Sequence, residues 1–381
     1  MERGNNTECR AQRTKTSGQK VVSKELHWLR IYQTGFSSLL RTSCLVLVAL
    51  IVFCVFSPEK ACGTSGITAG KENIALLPFE NFTEDAAVVK FLMPKVRSSL
   101  EEKGFTVIDE ARVEEFLLKE RIRTTGCIGR EAAGKMEQEL GVQGIVIGSV
   151  NSFSNGENPI VGLSARIVRA ADCAILWADN AAFTGEDFTT ILELGTIRDI
   201  GQLTDRVLDV LFASLTAYPQ SESEEKRYKI AVIPFKNDSR KEDAGIIASY
   251  LFLSALSKNG MFDPVEFGEV RRFMIENRVR GKGELDYMNT DTLAEMTGVD
   301  AILVGTVESY SEGKGNMPPE ASISARLIDA RENRILWCNS YEYQGDDGVA
   351  ILDWGRIRSA ENVANKIVSK IVENLENVRW Q

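Results

Sequence analysis

After residue 70 the chain is written twice. The stretch "IALLPFENFT" from Ile74 returns as "IAVIPFKNDS" from Ile230, and Pro78 returns as Pro234 at the same spacing. Phe105, Val113, Arg121, Arg123 and Gly148 return one residue further on as Phe262, Val270, Arg278, Arg280 and Gly305. Beyond Leu163 the spacing grows by three more, and Ser164, Arg166, Trp177, Arg198 and Leu215 return as Ser324, Arg326, Trp337, Arg358 and Leu375. A period of this length is a whole domain rather than a solenoid repeat. Spacing that drifts only between the matching blocks puts the insertions in loops. Two copies of one fold are therefore expected, 72–217 and 229–377, joined by a short polar, acidic linker at 218–228.

Each copy reads βαβααβββα. "NIALLPF" is a nearly continuous apolar run, as in a strand covered on both faces. "EDAAVVKFLMPKVRSSLEEKG" has apolar residues at helical spacing and stops at Gly104; Pro94 is expected to kink or divide it. "FTVID" gives a second strand, "ARVEEFLLKERI" a second helix and "AAGKMEQELG" a third, closed by Gly141. Three strand-like runs follow, "GIVIGSVNSFS", "VGLSARIVRA" and "AILWADNAAFTG", and predict an antiparallel meander. In the second run Leu163, Ala165 and Ile167 alternate with Ser164 and Arg166, which predicts one buried and one wetter face. A helix over 200–215 closes the unit. The fold class is α+β, two tandem domains, each a mixed sheet with helices packed on it.

Ahead of the repeats stands a different kind of sequence, 1–62. Residues 1–41 hold eight Lys or Arg against three acids, and Cys44 to Phe56 are thirteen apolar residues without a charge. That run is short for a transmembrane helix and suits the core of an export signal, with the basic flank on the cytoplasmic side. Cys62 follows Ala61 and is the candidate lipidation site, although Glu59 and Lys60 are poor residues before a cleavage point; an uncleaved anchor and ordinary cleavage are the alternatives. No Met occurs between Met1 and Met93, so a start at Val21 or Val22 is also open. The whole chain carries a net charge of −9 despite the basic leader, which argues against nucleic acid as a partner. The cysteines have no CxxC spacing, so neither a disulfide framework nor a zinc site is expected.

His27, in the leader, is the only histidine. The repeats therefore lack the base of Ser-His-Asp and Cys-His catalysis and the commonest zinc ligand. The turns "PFENFTEDAA" and "PFKNDSRKEDAG" have no glycine at their centre to close on a phosphate, and their acids suit a helix amino end instead. They read as strand exits followed by helix caps made by Asn, Thr or Ser. Glu186 with Asp187, and Asp346 with Asp347, lie in turns without the further oxygen ligands of a calcium loop. No catalytic, cofactor-binding or metal-ligating residue is assigned. The recurring arginines, Arg166 with Arg326 and Arg198 with Arg358, either grip a carboxylate of a ligand or close a structural ion pair within each unit.

The motifs "IAVIPFKN", "VDAILVGTVESY" and "SARLIDARENRILW", with first-copy partners "IALLPFEN", "VQGIVIGSVNSF" and "SARIVRAADCAILW", resemble one bacterial envelope domain. It is shared by the curli secretion channel CsgG, the amino-terminal domain of TolB and lipoprotein activators of peptidoglycan synthases. The resemblance covers most of 72–376 and implies an exported, periplasmic protein, often lipid-anchored to the outer or inner membrane, that engages other envelope proteins. It carries over no catalytic residue and no cofactor. A non-enzymatic assembly or scaffold role is expected, with the membrane reached through the amino-terminal segment and homo-oligomerisation left open. A curli-type secretion-channel subunit is the first alternative, although the loops are too short and polar for membrane-spanning hairpins. A ligand-binding or hydrolytic periplasmic enzyme is the second.

Overall fold

The structure, a computed structural model, describes residues 73–189, 195–215, 227–279, 287–313, 317–349 and 355–380, all within one compact unit. In the first half, β1 (Asn73–Leu76) runs parallel to β3 (Thr106–Val107) on one side and β4 (Gly144–Ser154) on the other. Strands β4, β5 (Ile160–Arg169) and β6 (Ile175–Thr184) form the expected meander, and the two-residue β2 (Glu80–Asn81) adds parallel to β4. The helices are α1 (Val88–Glu102), α2 (Glu110–Lys119), α3 (Arg130–Leu140) and α4 (Ile200–Leu211).

The second half repeats this order with β7 (Tyr228–Val232), β8 (Lys236–Asn237), α5 (Ala244–Lys258), β9 (Phe262–Pro264), α6 (Phe267–Glu276) and α7 (Tyr287–Thr297). It ends with β10 (Ala301–Ser311), β11 (Glu320–Asp329), β12 (Ile335–Gln344) and α8 (Ala360–Leu375). The two sheets have matching strand orders, β3-β1-β4-β5-β6 and β9-β7-β10-β11-β12. Even the register shift between β4 and β5, at Val150/Ser152, recurs between β10 and β11 at Val307/Ser309. The fold is α+β in two similar halves, and no described helix is long and apolar enough to cross a membrane.

Period-2 alternation along the strands divides each core in two. In the first half Leu76, Val146, Leu163 and Ile167 face α1 and α4, while Ala75, Leu77, Ile145 and Ile147 face α2 and α3. The second sheet is covered in the same way by α5 with α8 and by α6 with α7. The repeated Pro-Phe has a packing role. Pro78 cannot continue the ladder, and the ring of Phe79 turns back onto β4, 2.4 Å from where a Cβ on Gly148 would stand. Phe235 sits over Gly305 at 2.3 Å in the second half. The two repeated motifs are thus halves of one contact, and the glycine recurs because a methyl there would collide with the ring.

Three expectations change. Helix α1 runs undivided through Pro94. The Asn after each Pro-Phe closes a turn rather than a helix cap: Asn81 Oδ1 accepts from Thr83 N at 2.9 Å and Asn237 Oδ1 from Ser239 N at 3.1 Å, while Ala87 and Asp243 precede α1 and α5 without a side-chain cap. The wetter face of β5 is not wet, since Ser164 and Arg166 are as buried as Leu163. The second half lies on them.

Candidate functional site

The face of the first sheet that α2 and α3 cover continues along β4, β5 and β6 through Ser149, Asn151, Ser164, Arg166 and Asn180. Onto this continuation packs α5 of the second half, which contacts β5 and β6 as well as its own sheet and α8. Helix α5 is built for two-sided burial: Ile247, Tyr250, Leu251, Phe252, Leu253 and Leu256, pointing in all directions, are each at most 2% exposed. A helix apolar all round is one buried all round. Its counterpart α1 buries only the single stripe Val88, Leu92, Val96 and Leu100.

Arg166 is the centre of this seam. Its Nε and Nη2 donate to Glu266 Oε2 and Oε1 at 2.6 and 2.7 Å, and Nη2 donates again to the Gly126 carbonyl at 2.6 Å. The ring of Tyr250 lies 4.8 Å from the guanidinium carbon, and Tyr250 OH donates to Glu80 Oε2 at 3.1 Å. Glu266 and Tyr250 belong to the second half, so the ion pair crosses the seam instead of closing within one unit. One turn beyond, Glu269 Oε1 accepts from the backbone N–H of Arg130 at 2.7 Å, so the second half caps the amino end of α3 in the first. Burial raises the Glu80 carboxyl and pushes the Cys127 thiol up to about 12. A thiol held neutral is no nucleophile.

A second polar cluster lies on the same seam. Asn151 continues the alternation of Ile147 and Ser149 into the interface, where its Nδ2 donates to Glu361 Oε1 and to Ser164 Oγ, each at 2.8 Å. Glu361 stands in the first turn of α8, is fully buried and is pushed up to about 8 by that burial. A Cβ on Gly162 would fall 2.0 Å from Glu361 Oε2, so the close approach of α8 requires glycine there. Asn362 Nδ2 donates to the Ala182 carbonyl at 2.7 Å, and Lys258 pairs with Asp179.

Of the four arginines, two cross the seam. Arg358 faces Glu186 at 3.6 Å and Asp187 at 3.8 Å, in the turn whose Asp187 also accepts from Thr184 N at 2.7 Å. Arg326 is half-buried on β11 and Arg198 is exposed, and neither side chain makes a hydrogen bond or ion pair among the described residues. The four do not converge on one cleft. Cys62 lies outside the described residues. No local pattern marks the seam residues Tyr250, Glu266 and Glu361; the one sequence signal of the seam is the contrast between "VVKFLMPKV" in α1 and the more apolar "GIIASYLFLSAL" in α5.

The seam also opens to solvent in a cleft of about 530 Å³, lined by Arg121, Arg123, Arg271 and Arg272 among others. Among the described residues no three His, Cys, Asp or Glu side chains come together as metal ligands. What the arrangement does well is hold two protein surfaces together.

No protein-family model matches the sequence, and no curated protein matches it. Solved structures do. The PelC dodecamer from Paraburkholderia phytofirmans is 19% identical over 38% of this chain and 86% of its own, with a TM-score of 0.28. Lipoprotein GNA1162 from Neisseria meningitidis is 21% identical over 39% of this chain and 99% of its own, with a TM-score of 0.28. TolB from Acinetobacter baumannii is 14% identical over 39% of this chain and 28% of its own, with a TM-score of 0.24. At these values the likenesses say nothing of activity or partner.

Proposed function

We propose that this chain is an exported envelope protein, anchored through its amino-terminal segment with Cys62 as the lipidation point, that assembles other envelope proteins by docking and not by catalysis. The observation that carries this reading is the fate of one repeated sheet face. In the first half it is buried under α5 and α8. In the second half the corresponding residues, Ser324, Arg326 and Ser340, are only half-buried, and α8 packs on the other face of β11, against Ala325 and Leu327. A surface already shaped to receive a protein is left over at the end of the molecule.

The reading is tested by placing a photo-crosslinking residue at Ser324 in the full chain in cells. Envelope-fraction adducts at Ser324, absent when the probe sits at the buried Ser164, are expected. Recovery of the protein in the cytoplasm, or an envelope protein with no adduct at Ser324, would refute it.

A further inference from the structure

The seam uses one arginine of each repeated pair and leaves the other. Arg166 of the first half binds Glu266, and Arg358 of the second half binds Glu186 and Asp187. The contact is therefore head-to-tail: a surface of the first half carrying Arg166, Glu186 and Asp187 meets a different surface of the second, carrying Glu266 and Arg358. A head-to-tail contact between two like units always leaves one surface of each kind unused, one at either end.

The unused ends keep the same charges. On the second half, Arg326 stands at the position of Arg166, and Asp346 and Asp347 at those of Glu186 and Asp187. On the first half, Arg198 stands at the position of Arg358, and Asp109 at that of Glu266. Asp109, Arg198, Asp346 and Asp347 are exposed, and none of them, nor Arg326, has an ion-pair partner among the described residues. Asp109 Oδ1 accepts from Ala111 N at 2.7 Å, which leaves its second oxygen for another donor.

We infer that the partner of the open face is a second copy of this chain, which repeats the seam between molecules with Arg326 on Asp109 and Arg198 on Asp346 and Asp347. This rests on the docking reading above and names its occupant. The new contact differs from the internal one in strength. Where α5 presents Ile246, Tyr250 and Leu251, α1 presents Lys90, Pro94 and Lys95. Polar surfaces held by exposed charges associate reversibly and are screened by salt.

The experiment is analytical ultracentrifugation of the full chain in detergent over a range of concentrations, at low salt and at about 1 M salt, where the screening length is only about 3 Å. At low salt the mass should rise with concentration beyond a single chain, and at high salt it should return to one. Arg198→Glu and Asp346→Arg should each weaken association about tenfold, and the double variant should recover it. A single-chain mass at every concentration and salt would overturn the inference. So would association that the single charge reversals leave unchanged, or that the double variant fails to recover. If the chain stays single while Ser324 still crosslinks to other envelope proteins, the docking reading stands and this inference falls.

Discussion

Glu361 keeps its proton into the neutral range because α8 carries it into the seam, where the exclusion of water outweighs the donation from Asn151 that favours the carboxylate. Its usual value is 4.5 and its folded value about 8. Below the first both folded and unfolded chains hold the proton; between the two only the folded chain does. The stability this group contributes is thus full below 4.5 and is lost as pH rises to about 8. The loss runs at about 1.4 kcal/mol per pH unit. Glu361→Gln should remove that slope. Urea unfolding across this pH window checks it: wild type and variant with parallel profiles would show that the carboxyl is not held neutral.

Among the elements, α5 separates this molecule from two independent copies of a fold. Leu251 is fully buried, and the residue at its position in α1 is Lys95, a third exposed and paired with Asp205. Leu251→Lys should therefore lose more than about 3 kcal/mol by burying an unpaired charge. Lys95→Leu should stay within about 1 kcal/mol. Chemical denaturation of the two variants decides it, and equal losses would contradict two-sided burial. The helices, the meander and the left-handed Gly141 that ends α3 were legible in the sequence, because period, turn chemistry and glycine act over a few residues. The α1 helix passing through Pro94 was not, because its packed stripe on the sheet outweighs one lost hydrogen bond. Nor was the seam, since Arg166 and Glu266 stand 100 residues apart and no local pattern links them. The recurrence of Arg166 and Arg326 suggested like roles, and the fold gives them unlike ones.

On the scale of the whole chain, the halves share buried charge as well as apolar surface, so they should unfold together in one calorimetric transition. Arg166→Ala leaves Glu266 buried without its partner and should cost about 3–5 kcal/mol, enough to split that transition. Arg326→Ala, on the repeated position without a partner, should change stability by less than about 0.5 kcal/mol. Two transitions in the unaltered protein would refute this coupling. The seam is also unequal in kind. Both halves bring polar groups to it, but only the second adds a helix, α5, whose outward face is apolar. A chain delivered amino end first, from ribosome or translocon, therefore presents the more wettable surface before its sticky half arrives. The reverse gene order would expose α5 with nothing yet made to receive it.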